Sequence, residues 1–173
     1  ILIECGVPIR QIREALGFDM NLDGCLISHS HADHSRAATD IQRAGIDLYC
    51  SIETSDGLKL SGHRLNTLKP MAPVAVGLFR VIGFPTEHDC PGSLGFLIAG
   101  PGGKLLFAAD TYFIRPRFRG LTHIAIESNW SKETLDPDVD PAVKRRLIRS
   151  HMSLETCLNF LAAQDLSTVR EVW

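Results

Sequence analysis

The sequence predicts an α+β fold from three observations. Short apolar runs of β character, each closed by a polar or glycine-containing loop, fill the middle of the chain. Stretches of helical pattern separate those runs and gather toward the edges. The 173 residues, 45% hydrophobic and 22% charged, suffice for one ordinary core and fit a single globular domain rather than a disordered or membrane chain.

Taken in chain order, "ILIEC" reads as a strand, and Pro8 to Phe18 as a helix whose proline is tolerated in the first turn. "GCLIS" is a buried strand, followed by a helix from Ser35 to Ala44. "IDLYC" is the next strand and Ile52 to Leu60 the next helix; the segment after it, with His63, reads as a loop. "LFRVIGFPT", "SLGFLIAG" and "KLLFAAD" are strands, the last two joined by the hairpin turn in "AGPGGK". "THIAIES" is a strand, Ala142 to Arg149 and Ser153 to Ala163 are helices, and "STVREVW" begins a strand and stops. "ILIEC" likewise lacks a preceding hairpin partner, so the chain is expected to be an excerpt of a larger domain, cut at both ends.

Composition excludes some functions. A formal net charge of −2 advertises no global nucleic-acid field, although a local basic patch can still bind phosphates. The five cysteines are odd in number, lie far apart and form no C-x-x-C pair, which argues against a disulfide framework and against a thiolate zinc site. A reducing cytoplasmic location is expected. No apolar stretch approaches the ~20 residues of a membrane span, so no membrane partner is expected.

The chemistry concentrates in "SHSHADH", residues 28 to 34. If Gly24 to Ser28 is an extended strand, His29 and His31 continue its spacing and share a face. Asp33 and His34 follow where the chain turns toward the helix near Ser35, and are expected to project from a loop at its N-terminus. His88 stands at the C-terminal end of one later strand and Asp110 at the end of another. Singly, each has an ordinary reading: a satisfied core histidine, a helix-capping Asp33, a turn aspartate after a strand. Together, imidazoles and carboxylates at this density are donors suited to Zn²⁺, Mn²⁺ or Fe²⁺, and they outnumber the four positions of one tetrahedral ion. Two metals are therefore expected, with an aspartate able to bridge them and a hydroxide held between.

At these residues the sequence resembles the metallo-β-lactamase superfamily, which carries H-x-H-x-D-H, a later His, a bridging Asp and a last His on an αββα sandwich. "KLSGHRLNTLKP", "FPTEHDCPGSLGFLI", "FAADT", "IAIESNW" and "RSHMSLETC" resemble the YycJ-type branch related to ribonuclease Z, known for hydrolysing nucleic-acid phosphodiesters. The resemblance implies a sandwich lacking the N-terminal hairpin and the C-terminal strand. It implies that His29, His31 and His88 hold one divalent ion (zinc or manganese), Asp33 and His34 a second, and that Asp110 bridges them. Asp33 also becomes a candidate proton carrier. Glu4 stands where the superfamily has an aspartate that orients the metal loop.

The last histidine is the departure. His151, in "HMS", either meets the scissile phosphate or protonates the leaving oxygen, or else serves as the last ligand; its bland reading is a cap on the helix near Ser153. The first reading fits the branch and the need for a general acid. His63 and His123 read as structural, and Glu127, Ser128 and Asn129 as a site rim or ordinary turn. Arg115, Arg117 and Arg119 follow Asp110, and Lys144, Arg145, Arg146 and Arg149 precede His151, which suits a phosphate backbone. The leading expectation is a phosphodiesterase or nuclease with DNA or RNA as partner. A thioester or β-lactam hydrolase and a non-catalytic nucleic-acid-binding derivative are the rivals; His31 stands against a flavodiiron enzyme, where glutamate usually replaces that histidine.

Overall fold

A computed structural model describes residues 1–136 and 138–173. The first sheet is all parallel and runs β1 (Leu2–Ile3), β2 (Cys25–Leu26), β3 (Leu48–Cys50), β4 (Leu65–Thr67). Helices α1 (Ile9–Ala15), α2 (Ala32–Ser35), α3 (Ala38–Arg43) and α4 (Ile52–Gly57) make its crossovers. The second sheet is ordered β10-β9-β8-β7-β6-β5, with β5 (Pro73–Val76), β6 (Phe79–Pro85), β7 (Leu94–Gly100), β8 (Gly103–Ala108), β9 (His123–Ile126) and β10 (Glu171–Val172). Helices α5 (Pro141–Ser150) and α6 (Leu154–Ala162) lie between β9 and β10 in sequence.

Side chains two apart share a face, and this alternation makes three core layers. Cys25, Ile27, Leu48 and Cys50 point from the first sheet to Ile12 of α1 and Ile41 of α3. Their neighbours Leu26 and Tyr49 point the other way, against Val81, Leu94, Phe96 and Ile98 of the second sheet. On that sheet's far side Phe84, Leu106 and Ile124 meet Cys157 and Phe160 of α6. The layers are thus helix, sheet, sheet, helix: an α+β sandwich of the metallo-β-lactamase type. Phe96 is fully buried between the sheets and stacks across the strands on Phe107 at 6.4 Å; truncating such a side chain to Ala costs about 3–5 kcal/mol.

Two strands escaped the sequence reading. β4 is three half-buried to exposed residues without apolar alternation, and β5 opens on Pro73 at a sheet edge, where a missing N–H is harmless. The strand whose start shows in "REVW" forms as β10, paired in parallel with β9. The helix expected from Ser35 to Ala44 begins earlier and breaks in two. α2 starts at Ala32, with His31 as its extended N-cap, and Ala37 interrupts it, so Asp33 and His34 stand on a helical turn rather than in a loop. The loop after β1 causes the break. Cys5 N–H donates to the His34 carbonyl at 2.8 Å, and Ala37 N–H donates to the Cys5 carbonyl at 2.9 Å, holding those two backbone groups away from a continuous helix. Gly6 allows the approach, because a Cβ there would sit 1.5 Å from the Asp33 carbonyl oxygen. No helix among the described residues is long and apolar enough to cross a membrane.

Candidate metal centre

Topology brings the donor residues to one edge. β6 and β8 both run antiparallel to β7, so their C-terminal ends coincide, and β9 runs parallel to β8. His88 follows β6, Asp110 follows β8 and Glu127 follows β9. From the other sheet, Glu4 follows β1, and His29 and His31 follow β2. The sheets are joined at this edge by Leu94 N–H donating to the Ser28 carbonyl at 3.0 Å.

The structure brings all seven sequence-predicted residues together. One donor atom each from His29, His31, His88 and Asp110 lie within 4.8 Å of one another, as do those of Asp33, His34 and Asp110. Asp110, Glu127 and His151 form a third such group. Asp110 belongs to all of them: its Oδ2 is 3.6 Å from His29 Nε2, 3.6 Å from His88 Nε2 and 3.3 Å from His34 Nε2.

The outward ring atoms of this cluster are engaged by neighbours. His88 Nδ1 donates to the Ser150 carbonyl at 3.0 Å, so its Nε2 carries the lone pair. Ser28 Oγ holds His29 Nδ1 at 2.8 Å. His29 Nε2 and His88 Nε2 then lie 3.0 and 3.2 Å from His31 Nδ1. Imidazoles this close cannot all satisfy one another, since each needs a proton from a neighbour that also offers a lone pair. Three nitrogens and a carboxylate aimed at one point are the donor set a divalent ion satisfies, so the residues fit the metals the fold implies.

Charge differs across the cluster. Burial, helped by the nearby His34 and His88, lowers His29 to about 3, and burial also lowers His88 despite its carbonyl partner, so both are neutral at pH 7. Burial opposes a charged His34 too, but the facing carboxylates of Asp110 and Glu4 overcome it and raise His34 to about 10. Asp110 shows the reciprocal effect: burial pushes it up, His34 pulls it down further, and it settles at about 2.

Glu4 and Asp110, on opposite sides of His34, are both non-glycine residues with positive φ, 64° and 40°. Such backbone costs of order 1–3 kcal/mol and persists where the surroundings over-determine it. Here it turns two strand-end carboxylates toward the ring. Glu4 Oε1 accepts from Ser28 N–H at 3.1 Å, while its Oε2 faces His34 Nδ1 at 3.5 Å, both atoms buried without another hydrogen-bond partner. Asp33, by contrast, has a side chain 79% exposed and lies 3.8 Å from His34 Nε2.

His151 ends α5 in extended conformation; Ser153, not His151, caps α6, so the capping reading fails. Trp130 Nε1 donates to its carbonyl at 3.1 Å. Its Nδ1 lies 3.0 Å from Glu127 Oε2, while Glu127 Oε1 accepts from Thr111 N–H. Burial raises the Glu127 carboxyl against both of those bonds. Sequence reasoning left Glu127 on the rim, although it carries the same signal as Asp110, an acid at a strand's C-terminal end. Arg146 is the basic residue of α5 that lines the cleft, 2.7 Å from Asp89. His63 is exposed and His123 stacks on Trp173, both outside the donor groups.

Fold and site together define a metallo-hydrolase-type domain with a cluster suited to divalent ions. Residues 1–170 match the family model described as a Beta-lactamase superfamily domain, and the chain belongs to that family. It is similar to the metallo-β-lactamase fold protein YhfI from Bacillus subtilis, with a TM-score of 0.70 and 16% identity over 98% of this chain and 71% of that one. It is also similar to a metallo hydrolase of the archaeon Ignicoccus hospitalis, with a TM-score of 0.58 and 17% identity over 86% of this chain and 60% of that one. A third similarity is to CmlA, a diiron β-hydroxylase from Streptomyces venezuelae, with a TM-score of 0.57 and 18% identity over 86% of this chain and 34% of that one. At these identities the likeness shows the fold alone. No curated protein matches the sequence.

Proposed function

We propose that the chain is a dinuclear-metal hydrolase that cleaves phosphodiesters of DNA or RNA. The observation that carries the dinuclear part of the reading is the position of Asp110 Oδ2, 3.6 Å from His29 and His88 Nε2 and 3.3 Å from His34 Nε2. In this reading His29, His31, His88 and Asp110 hold one ion, zinc or manganese, and Asp33, His34 and Asp110 hold the second. Bound there, such ions polarise the scissile group and lower the pKa of water.

The chain's own residues supply the rest. Ser28 and the Ser150 carbonyl fix the ring orientation of His29 and His88. Glu127 engages His151 Nδ1 and leaves Nε2 to pass a proton to the leaving oxygen. His151 Nδ1, the ring nitrogen 3.8 Å from Asp110 Oδ1, is taken up by Glu127 at 3.0 Å, which supports that role over the last-ligand role. Arg146 lines the same cleft, and a phosphate can draw its guanidinium from Asp89. The YycJ-type resemblance of "FPTEHDCPGSLGFLI" and "RSHMSLETC" supports the same substrate class. A small-molecule thioester or β-lactam hydrolase is the second reading, favoured by Val143 and Leu147 on the cleft wall.

The test loads the protein with Zn²⁺ or Mn²⁺ and follows labelled oligonucleotides, bis(4-nitrophenyl) phosphate, a chromogenic β-lactam and a thioester in parallel, with His29→Ala as control. Metal-dependent cleavage of the phosphodiesters, lost in the variant, is expected. Turnover of the β-lactam or thioester alone, equal cleavage by His29→Ala, or DNA binding without cleavage overturns it.

A further inference from the structure

The segment directly after Asp110, "TYFIRPRFR", is ordered without being helix or strand. Ile114 and Phe118 anchor it: they are 3% and 8% exposed, and Phe118 packs on Phe84 with ring centroids 5.0 Å apart. Backbone bonds complete the anchoring. Tyr112 N–H donates to the Glu87 carbonyl at 2.9 Å, Thr111 Oγ1 to the Phe113 carbonyl at 2.8 Å, and Phe118 N–H to Gln164 Oε1 at 3.1 Å.

With Thr111, Ile114 and Phe118 buried, the two other rings and the three arginines face solvent. Tyr112 is 39% and Phe113 43% exposed, and Arg115, Arg117 and Arg119 are exposed beside them. Single exposed apolar residues are common and need no explanation. Two adjacent exposed rings, interleaved with arginines and starting two residues from the carboxylate shared by every donor group, are a different matter. Phe113, Arg115 and Arg117 also wall a cavity of about 370 Å³ against Asn159 and Gln164 of α6 and its C-terminal end, within the size range of small-ligand sites.

We propose that Tyr112, Phe113, Arg115 and Arg117 form a docking strip for a single nucleic-acid strand, leading it to the metal centre. The inference rests on the phosphodiesterase reading and deepens it. In a duplex the base faces are already stacked, so solvent-facing rings can engage only unpaired bases, while the guanidinium groups complement the phosphates. Arg115 is held by Glu87 at 2.5 Å, beside His88, which keeps one cation of the strip close to the cleft. Contacts to base faces and phosphates ignore the 2′-hydroxyl, so DNA and RNA strands of equal length are bound alike.

The test is anisotropy of fluorescein-labelled 12-mers of oligothymidylate and oligouridylate, titrated with the protein in EDTA, alongside hydrolysis of bis(4-nitrophenyl) phosphate by the metal-loaded protein. Tyr112→Ala and Phe113→Ala are each expected to weaken binding about tenfold, with hydrolysis of the small ester unchanged. Tyr112→Trp and Phe113→Trp retain binding, and Phe113→Leu does not. Arg117→Ala lowers the slope of log affinity against log salt by about 0.7. Unchanged binding in the alanine variants overturns the strip, as does full retention in Phe113→Leu, which marks a surface for an apolar protein partner. A duplex bound more tightly than the single strand overturns it as well. Loss of strand binding in the alanine variants of a protein that never hydrolyses the small ester leaves the strip standing and defeats the nuclease reading.

Discussion

The two halves of the donor cluster share Asp110 and differ in almost everything else. His29, His31 and His88 make one half: the His29 and His88 side chains are 1% exposed, and both are held neutral by burial. Asp33 and His34 make the other: Asp33 is open to solvent, and His34 sits charged between two carboxylates. The first half is therefore ready to bind as it stands, while the second must release a proton first. Their supports differ in kind as well. Neutral hydrogen bonds to Ser28 and to the Ser150 carbonyl fix the first, whereas strained carboxylates at Glu4 and Asp110 fix the second.

Removing a ligand should separate the halves most sharply. His88→Ala is expected to lose the tighter ion and to cut hydrolysis on the order of a thousandfold, about 4 kcal/mol of transition-state stabilisation, checked by metal analysis together with kinetics. Asp33→Ala should keep one ion per chain and lose the other, with activity down on the order of a hundredfold or more. If both variants lose both ions, the halves are not independent. Glu4→Gln, which leaves the shape but removes one of the charges that hold the His34 proton, is expected to reduce the proton release and the pH dependence of the second ion's binding and to spare the first, read by calorimetric titration.

Acidity gives the smaller and more diagnostic effects. Between pH 7 and 9 the second ion should bind about tenfold more tightly per pH unit, with one proton released, because His34 keeps its proton up to about 10 in the metal-free protein. The first ion should show almost no slope there, because His29 has already lost its proton above about 3. The metal-free fold should carry the same contrast. His29 is depressed below its unfolded value of 6.5, so the unfolded chain binds more protons there and stability falls as pH drops from 6.5 toward 3. His34 is raised, so its contribution is complete below 6.5 and lost as pH rises through about 10. Denaturant melts across pH should give a maximum near 6 to 7, with each flank on the order of 1–3 kcal/mol, and Glu4→Gln should flatten only the alkaline flank.

The sandwich and the cluster were legible in the sequence for particular reasons. The strands that build the core are long or strongly apolar, such as Phe79–Pro85 and Leu94–Gly100, and the donors sit at strand ends in a rare spacing. Leu65–Thr67 and Pro73–Val76 were not legible, since short edge strands gain their structure from pairing rather than from their own pattern. Nor could the sequence show that Asp33 and His34 ride on a helical turn, because the turn is seated by Cys5 and Gly6, far away along the chain. The roles of Ser28, Ser150 and Glu127 were hidden likewise: each acts through a contact across elements. His34 is the clearest case, its charge being decided by residues 30 positions before it and 76 after it, a property no local window carries.

The most direct test of the centre is electron paramagnetic resonance of the protein titrated with Mn²⁺. Two ions sharing the Asp110 carboxylate, ~3.5–4 Å apart, should give a spin-coupled pair at two equivalents per chain, and Asp110→Asn should lose the coupling. A single uncoupled ion at saturation in the wild-type protein, or coupling that survives Asp110→Asn, would contradict the account.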